Sequence, residues 1–264
     1  MYIYQSIILG AIQGITEFLP ISSSGHLVLL QNYFNMPNNI QLLYDTTVHF
    51  ATLIAVIIFF YKDLYYIILG AFQELKDKNF GVNIKLIIYI IVSMIPAGIV
   101  GLLFEEKIEN IFSSPNIVYI NFFITSTLLL LTKFFQDKAY IKMENIGVIK
   151  SFLIGIAQAI AILPGISRSG STISTAIFLK INKEDAAKFS FIMSIPVILG
   201  AFLLQLKDIE NFNILFSPII ISGFFSALFF GLLSLKFLTF IIRKRYFHVF
   251  AYYLLALIIT KLAM

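Results

Sequence analysis

The sequence predicts an all-α membrane protein, with six transmembrane helices and two inverted re-entrant helical hairpins in one integral membrane domain, residues 1–264. Three observations lead there. First, 59% of the 264 residues are hydrophobic and 12% charged, with a mean hydropathy of +0.92. A soluble domain is about half apolar and about a quarter charged, so polar surface here is too scarce to cover a globule. Second, six apolar runs approach the roughly 20 residues that a spanning helix needs, which leaves no length for an extramembrane domain. Third, the basic residues fall in alternate connections between these runs. The net charge of +5 is therefore read as a topology signal and not as a nucleic-acid surface. The chain contains no cysteine, which excludes disulfides, thiolate catalysis and cysteine metal sites.

In chain order, residues 3–34 are apolar but are broken near the middle by Pro20, Ser22, Ser23, Ser24 and Gly25. With no flanking basic residue, this segment is expected to dip in from the outer face and return, with the N-terminus outside. A signal peptide would need a basic leading segment and an uninterrupted apolar core, and Glu17 and Pro20 interrupt this one. Runs 47–61, 86–104 and 116–132 follow as spans. Residues 147–180 are broken by Pro164, Gly165, Ser167 and Gly170 and have lysines on both sides, so they are expected to form a hairpin entering from the inner face. Runs 189–206, 214–235 and 247–262 complete the six spans.

Fifteen of the 19 basic residues lie in four segments: Lys62 to Lys85, Lys133 to Lys150, Lys180 to Lys188, and Lys236 to Arg245. By the positive-inside rule these are cytoplasmic. The connections holding Glu105, Glu106 and Glu109, and Asp208 and Glu210, would then face outward.

The two broken segments resemble each other. Gly10-Ala11-Ile12-Gln13 matches Gly155-Ile156-Ala157-Gln158, and Ile21-Ser22-Ser23-Ser24-Gly25 matches Ile166-Ser167-Arg168-Ser169-Gly170 at the same offset. Repeats that enter from opposite faces bring their breaks together near the midplane and build a site there. A second echo, Ser93-Met94-Ile95-Pro96 against Ser194-Ile195-Pro196, lies off that offset and carries little weight.

The breaks hold the residues that suggest chemistry. Glu17 follows Gln13 by one helical turn, on the same face of an apolar helix. A carboxylate at the bilayer centre costs about 3 kcal/mol unless paired, hydrated or bound to a cation, so it marks a functional site before a packing role. Pro20 ends that helix, and Ser22, Ser23, Ser24, Gly25 and His26 open the next. Free N–H groups at a helix start attract anions, phosphate above all. Ser167, Arg168, Ser169, Gly170 and Thr172 repeat the arrangement. Arg168 is the one arginine before Arg243, and its planar fork suits two parallel bonds to phosphate. A purely structural pair between Arg168 and Glu17 is the alternative. Together these groups equip a site for phosphoryl chemistry at a membrane.

The stretches Gln13 to His26 and Pro164 to Thr172 resemble the two signature motifs of bacterial undecaprenyl-diphosphatase, the bacitracin-resistance type, and the resemblance extends over nearly the full chain, including Asp45 to Val56. It implies an enzyme of the cytoplasmic membrane, its site facing outward, that removes one phosphate from undecaprenyl diphosphate. The product is the carrier lipid for peptidoglycan synthesis, and bacitracin resistance follows. It further implies a divalent cation, Mg2+ or Ca2+, held by Glu17 directly or through water, with Gln13 standing where many members carry a second Glu. Glu17, Ser23, His26 and Arg168 take the catalytic and binding roles, and Ser22, Ser24, Gly25, Ser167, Ser169, Gly170 and Thr172 line the diphosphate. The expected partners are the polyprenyl diphosphate substrate and membrane lipids, with no nucleic acid; a homodimer is compatible with this.

The nucleophile stays open among Ser23, His26 and a water activated by Glu17 and His26, with Ser23 and His26 as base the favoured pair. An acid-phosphatase-like site fails on counting: it needs an Arg-Pro pair, absent here, and a histidine six residues after the arginine, where Ser174 stands. His49 and His248 lie on spans or their edges. From a different class, a polyprenyl-phosphate flippase would use the same inverted repeats.

Overall fold

The computed structural model describes residues 2–36, 38–103, 115–205 and 215–263. The acidic connections that hold Glu105, Glu106, Glu109, Asp208 and Glu210 lie outside the described residues. Among those described, the chain is helical with no β-strand. The helices are α1 Ile3–Phe18, α2 Ser23–Tyr33, α3 Asn38–Phe59, α4 Tyr61–Lys76, α5 Val82–Leu103, α6 Pro115–Phe135, α7 Val148–Ile160, α8 Arg168–Phe178, α9 Lys183–Gln205, α10 Pro218–Arg243 and α11 Phe250–Leu262.

Five segments are long and apolar enough to cross a membrane: Gln41–Phe59, Val82–Leu103, Asn116–Lys138, Lys183–Gln205 and Pro218–Arg243. The sixth expected span appears as the shorter apolar helix Phe247–Leu262. The spanning helices turn large apolar side chains outward in stripes at helical spacing, such as Ile91, Ile95 and Ile99 on α5 and Phe225, Phe229, Leu233 and Phe237 on α10. Glu17, Gln13, Ser190 and Thr172 lie inside. Apolar outside and polar inside is what a lipid solvent asks of a helical bundle.

Each broken segment forms a helical pair, α1 with α2 and α7 with α8. α1 lies along α10 from Ile219 to Ser234: Ser6 donates to the Ile219 carbonyl and Ser234 to the Gly14 carbonyl, and a Cβ at Gly10 would run into the Gly223 carbonyl. α7 lies along α5, and a Cβ at Gly155, the matching residue of the second repeat, would run into the Ser93 carbonyl. Each repeat thus seats its broken helix against the long helix of the other through the same glycine, a close approach that small residues alone permit. α1 starts beside the end of α10 opposite Arg243, whereas the α7–α8 pair is tied to the basic end, where Tyr140 and Ile141 donate to the Lys180 carbonyl. The two pairs meet at their breaks: Gly165 N–H donates to Ser22 Oγ at 3.1 Å and Ser169 Oγ to the Leu19 carbonyl at 3.2 Å.

The four basic segments also converge. Asp63, Lys142, Lys183, Lys188 and Arg245 line one cavity of about 750 Å3, with ion pairs joining Lys188 to Asp63 at 2.7 Å and Arg245 to Asp137 at 2.5 Å. The first of these segments is not a simple loop. α4 occupies Tyr61–Lys76, burying Ile67 and Ala71 while Tyr65, Tyr66, Ile68, Leu69 and Phe72 stay exposed. The Glu74 carboxylate then accepts from the N–H groups of Asn83 and Ile84, capping α5.

Candidate active site

The site forms where two helix starts face the end of α1. Pro20 cannot continue α1, and Leu19 turns to an extended conformation (ψ 142°). Ser22 follows at φ 68°, a left-handed conformation that a serine holds only when its surroundings compel it. They do: Ser22 Oγ accepts from Gly25 N–H and Gly165 N–H, while its carbonyl accepts from His26 N–H and the His26 ring. The second break turns at Gly165, φ 93°, and Ser167 Oγ accepts from Gly170 N–H at 3.0 Å to open α8. Backbone freed from a helix in apolar surroundings needs partners, and α6 provides them. Asn121 Nδ2 donates to the Pro164 carbonyl, Thr125 Oγ1 donates to the Gly165 carbonyl and accepts from Ser167 N–H, at 2.7, 3.0 and 3.1 Å.

Glu17 is the hub. Its Oε1 accepts from Arg168 Nη2 at 2.5 Å, and its Oε2 accepts from Ser23 Oγ at 2.6 Å and Gln13 Nε2 at 3.0 Å. Three of the four expected catalytic residues, Glu17, Ser23 and Arg168, are therefore in direct contact, and both breaks contribute. Arg168 Nη1 reaches the Ser190 carbonyl at 3.5 Å, so two of its five N–H groups are engaged. The Arg168–Glu17 pair expected as a structural alternative does exist. The pair engages only part of the fork, and the other N–H groups of the guanidinium are of the kind that bind an anion.

The fourth residue stands apart. His26 Nδ1 lies 2.7 Å from the Ser22 carbonyl and Nε2 2.9 Å from Tyr253 Oη, with the imidazole stacked on the Tyr253 ring at 5.7 Å. A carbonyl only accepts, so Nδ1 carries the hydrogen, and in the neutral ring Nε2 accepts from Tyr253. Neither nitrogen is bonded to Ser23; the group that takes the Ser23 hydroxyl proton in a hydrogen bond is Glu17.

The other expected residues line the breaks while bonded to one another. Ser24 Oγ is 3.4 Å from Ser22 Oγ, Ser169 Oγ is 3.2 Å from Ser167 Oγ, and Thr172 Oγ1 donates to the Arg168 carbonyl and lies 2.6 Å from Ser190 Oγ. A Cβ at Gly25 would strike the Phe122 ring and come within 3.0 Å of Gly165 Cα, so glycine at this position lets the two breaks touch.

Several participants escaped the sequence reading: Asn121, Thr125, Ser190, Tyr253 and His49, whose Nε2 is 3.6 Å from Glu17 Oε2. Three of them, His49, Asn121 and Thr125, carried a usable signal. Asp45 with His49 and Asn121 with Thr125 are polar residues one turn apart in otherwise apolar helices, the same spacing that drew attention to Gln13 and Glu17.

For a cation, Gln13 Oε1 is the informative atom: it is buried without a partner, one turn from Glu17, and an orphaned amide oxygen is a hard ligand awaiting a positive charge. Gln13 and Glu17 thus fit a divalent ion. Among the described residues no group of three or more His, Cys, Asp and Glu is set to hold a metal, so further ligands must come from the substrate or water.

Comparison with known proteins agrees along the whole chain. The family described as "Bacitracin resistance protein BacA" matches residues 6–260. The protein named "Undecaprenyl-diphosphatase" of Methanobrevibacter smithii is 41% identical, covering 96% of this chain and 94% of its own. Those of the same name from Treponema denticola and Carboxydothermus hydrogenoformans are each 40% identical, covering 97% and 99% of this chain and 95% and 97% of theirs.

Proposed function

Because the chain belongs to the bacitracin resistance protein BacA family, we propose that it is an undecaprenyl-diphosphate phosphatase, a membrane hydrolase. It removes the terminal phosphate of undecaprenyl diphosphate to return the monophosphate carrier to peptidoglycan synthesis, and it confers bacitracin resistance. The observation that supports this most directly is the Ser23–Glu17–Arg168 contact, in which a hydroxyl, its proton acceptor and an anion-binding cation meet between two helix starts.

In this reading the isoprenyl chain lies among the apolar helices and the diphosphate between the two breaks. Arg168 and the N–H groups at the starts of α2 and α8 bind the terminal phosphate and stabilise the charge that spreads over its oxygens in the transition state. Ser23 Oγ attacks the terminal phosphorus while its proton passes to Glu17 Oε2. The bond to the bridging oxygen breaks, and undecaprenyl phosphate leaves. Glu17 passes the Ser23 proton to the departing monophosphate; water then attacks the phosphoserine, giving a proton to Glu17, and as the Ser23 Oγ–P bond breaks Glu17 returns that proton to Ser23 and inorganic phosphate leaves. The geometry favours Glu17 over His26 as the base for Ser23, because both His26 nitrogens are bonded elsewhere; His26 instead fixes the backbone of the first break. Gln13 and Glu17 would hold a divalent cation, which supplies positive charge against the phosphate oxygens when bound.

The fold is read as six spans, with Phe247–Leu262 the sixth, and two re-entrant hairpins in one membrane domain. The gathering of the four basic segments around one cavity supports a cytoplasmic end there, and hence a site open to the outer face of the cytoplasmic membrane. Phosphate release from undecaprenyl or farnesyl diphosphate by the purified protein in detergent tests the reading. Lipid movement across vesicles without phosphate release would favour the flippase design that inverted broken helices also serve.

A further inference from the structure

The proposed reaction leaves one imidazole at its centre unused. His49 stands on α3, one turn after Asp45, and its Nδ1 lies 2.7 Å from the Asp45 carbonyl. That carbonyl only accepts, so Nδ1 carries the hydrogen, and in the neutral ring Nε2 presents a lone pair. It presents it to another acceptor, Glu17 Oε2, at 3.6 Å. The amide bonded to that oxygen ends in Gln13 Oε1, which is buried without a partner. His49 Nε2 and Glu17 Oε2 thus face each other across 3.6 Å, with the orphaned Gln13 Oε1 on the amide bonded to that carboxylate, and two acceptors that face one another repel unless a proton or a metal cation lies between them. A donor bond from the second ring nitrogen to a backbone carbonyl is also how proteins fix a metal-ligating histidine. Two ligand bonds of about 2.1 Å span 3.6 Å at an open angle, so an ion fits between nitrogen and oxygen without moving either. Arg168 occupies Glu17 Oε1, while Oε2, which also accepts from Ser23 Oγ and Gln13 Nε2, faces His49.

We infer that His49 Nε2, together with Glu17 Oε2 and Gln13 Oε1, directly ligates the divalent cation of this site, and that the nitrogen tilts its preference from Mg2+ and Ca2+ toward Mn2+ or Co2+. The inference rests on the phosphatase reading for the cation's purpose, not for its ligands. Mg2+ and Ca2+ take oxygen ligands almost to exclusion, whereas an imidazole suits the transition metals. With two protein oxygens and one nitrogen the site is incomplete by itself, and water or diphosphate oxygens finish it.

Pulsed electron paramagnetic resonance on the purified full chain, in detergent, with Mn2+, any affinity tag removed and no lipid substrate, tests this. The expected result is a 14N coupling from a directly bound imidazole, lost in His49→Gln and retained in His26→Gln, with Mn2+ affinity weakened at least about tenfold in His49→Gln. Absence of 14N coupling in the wild type overturns the inference whatever the variants do, as does a coupling that survives His49→Gln. Phosphate release by the wild type, assayed separately with Mg2+, keeps the two readings apart. Release without 14N coupling removes His49 as a ligand and leaves the phosphatase standing; 14N coupling without release does the reverse.

Discussion

At the scale of single residues, a buried ion pair joins two groups with unequal duties. Arg168 is paired with Glu17 and, in the proposed reaction, supplies the donors for phosphate, so its loss should have two consequences. Arg168→Ala should reduce phosphate release to near background, and it should lower thermal stability by about 3–5 kcal/mol because Glu17 is left buried and unpaired. Arg168→Lys keeps the charge without the fork and should recover part of both. Adding Glu17→Gln to Arg168→Ala should restore stability but not activity; if activity returned as well, the pair would be structural only. Glu17→Gln alone should lose activity by orders of magnitude, since the amide keeps the shape but neither accepts the Ser23 proton nor binds a cation. Gln13→Ala should be milder. Gln13→Glu should be tolerated and should tighten cation binding, which a titration of activity against Mg2+ reads directly. These residues were legible in the sequence because a charge in an apolar helix is conspicuous. Tyr253 was not, because an aromatic on a span looks like packing until the fold places it beside His26, and His49 was passed over although Asp45 one turn before it marked the same face.

At the scale of elements, the broken helices were readable from proline, glycine and serine at their centres, but their partners were not. That α1 packs on α10 and α7 on α5 depends on which helices the fold brings together. The glycines at Gly10 and Gly155 record that contact only in retrospect. Gly10→Ala and Gly155→Ala should each destabilise the protein by about 1–3 kcal/mol, since the added carbon meets a carbonyl oxygen of a rigid helix. Gly98→Ala and Gly200→Ala, where nothing lies within 4 Å of the added carbon, should be neutral or slightly stabilising. Thermal unfolding of the four variants in detergent checks this contrast. Equal losses at all four positions would place the cost in the helices and not in the contacts.

α4 was missed for a different reason: the four lysines from Lys62 to Lys85 read as a cytoplasmic connection, whereas Glu74 joins the end of the helix to the start of α5. Desolvation raises the Glu74 carboxyl, but the N–H groups of Ile84 and Asn83 outweigh it and hold the group below its ordinary range. A carboxyl depressed on folding stabilises at neutral pH and loses that contribution as pH falls below about 4. The α4–α5 corner should therefore open on acidification, seen as faster amide exchange at Asn83 and Ile84, and Glu74→Gln should show the faster exchange already at neutral pH.

At the scale of the whole molecule, the alternation of basic segments foretold something that no single helix shows: residues from four distant stretches line one cavity. Charge pattern is legible because membrane insertion reads it segment by segment. The meeting of the two breaks was legible through the repeat. The polar residues on α6 and α9 that complete the site belong to neither motif, so only the packed structure recruits them. In this cysteine-free chain, single cysteines at Asp137 and Lys183 should react with a membrane-impermeant thiol reagent only after cells are opened, and labelling of Lys183→Cys from outside would contradict the proposed orientation.

The central claim is that the two breaks together make a phosphatase. Its most direct measurement is phosphate release from undecaprenyl diphosphate by the purified wild-type chain beside Ser23→Ala, with the lipid product identified. One phosphate per lipid, undecaprenyl monophosphate as the product, and loss of both in Ser23→Ala are expected. Full activity in Ser23→Ala would contradict the role given to Ser23, and an inactive wild type that still moves the lipid across vesicles would contradict the phosphatase itself.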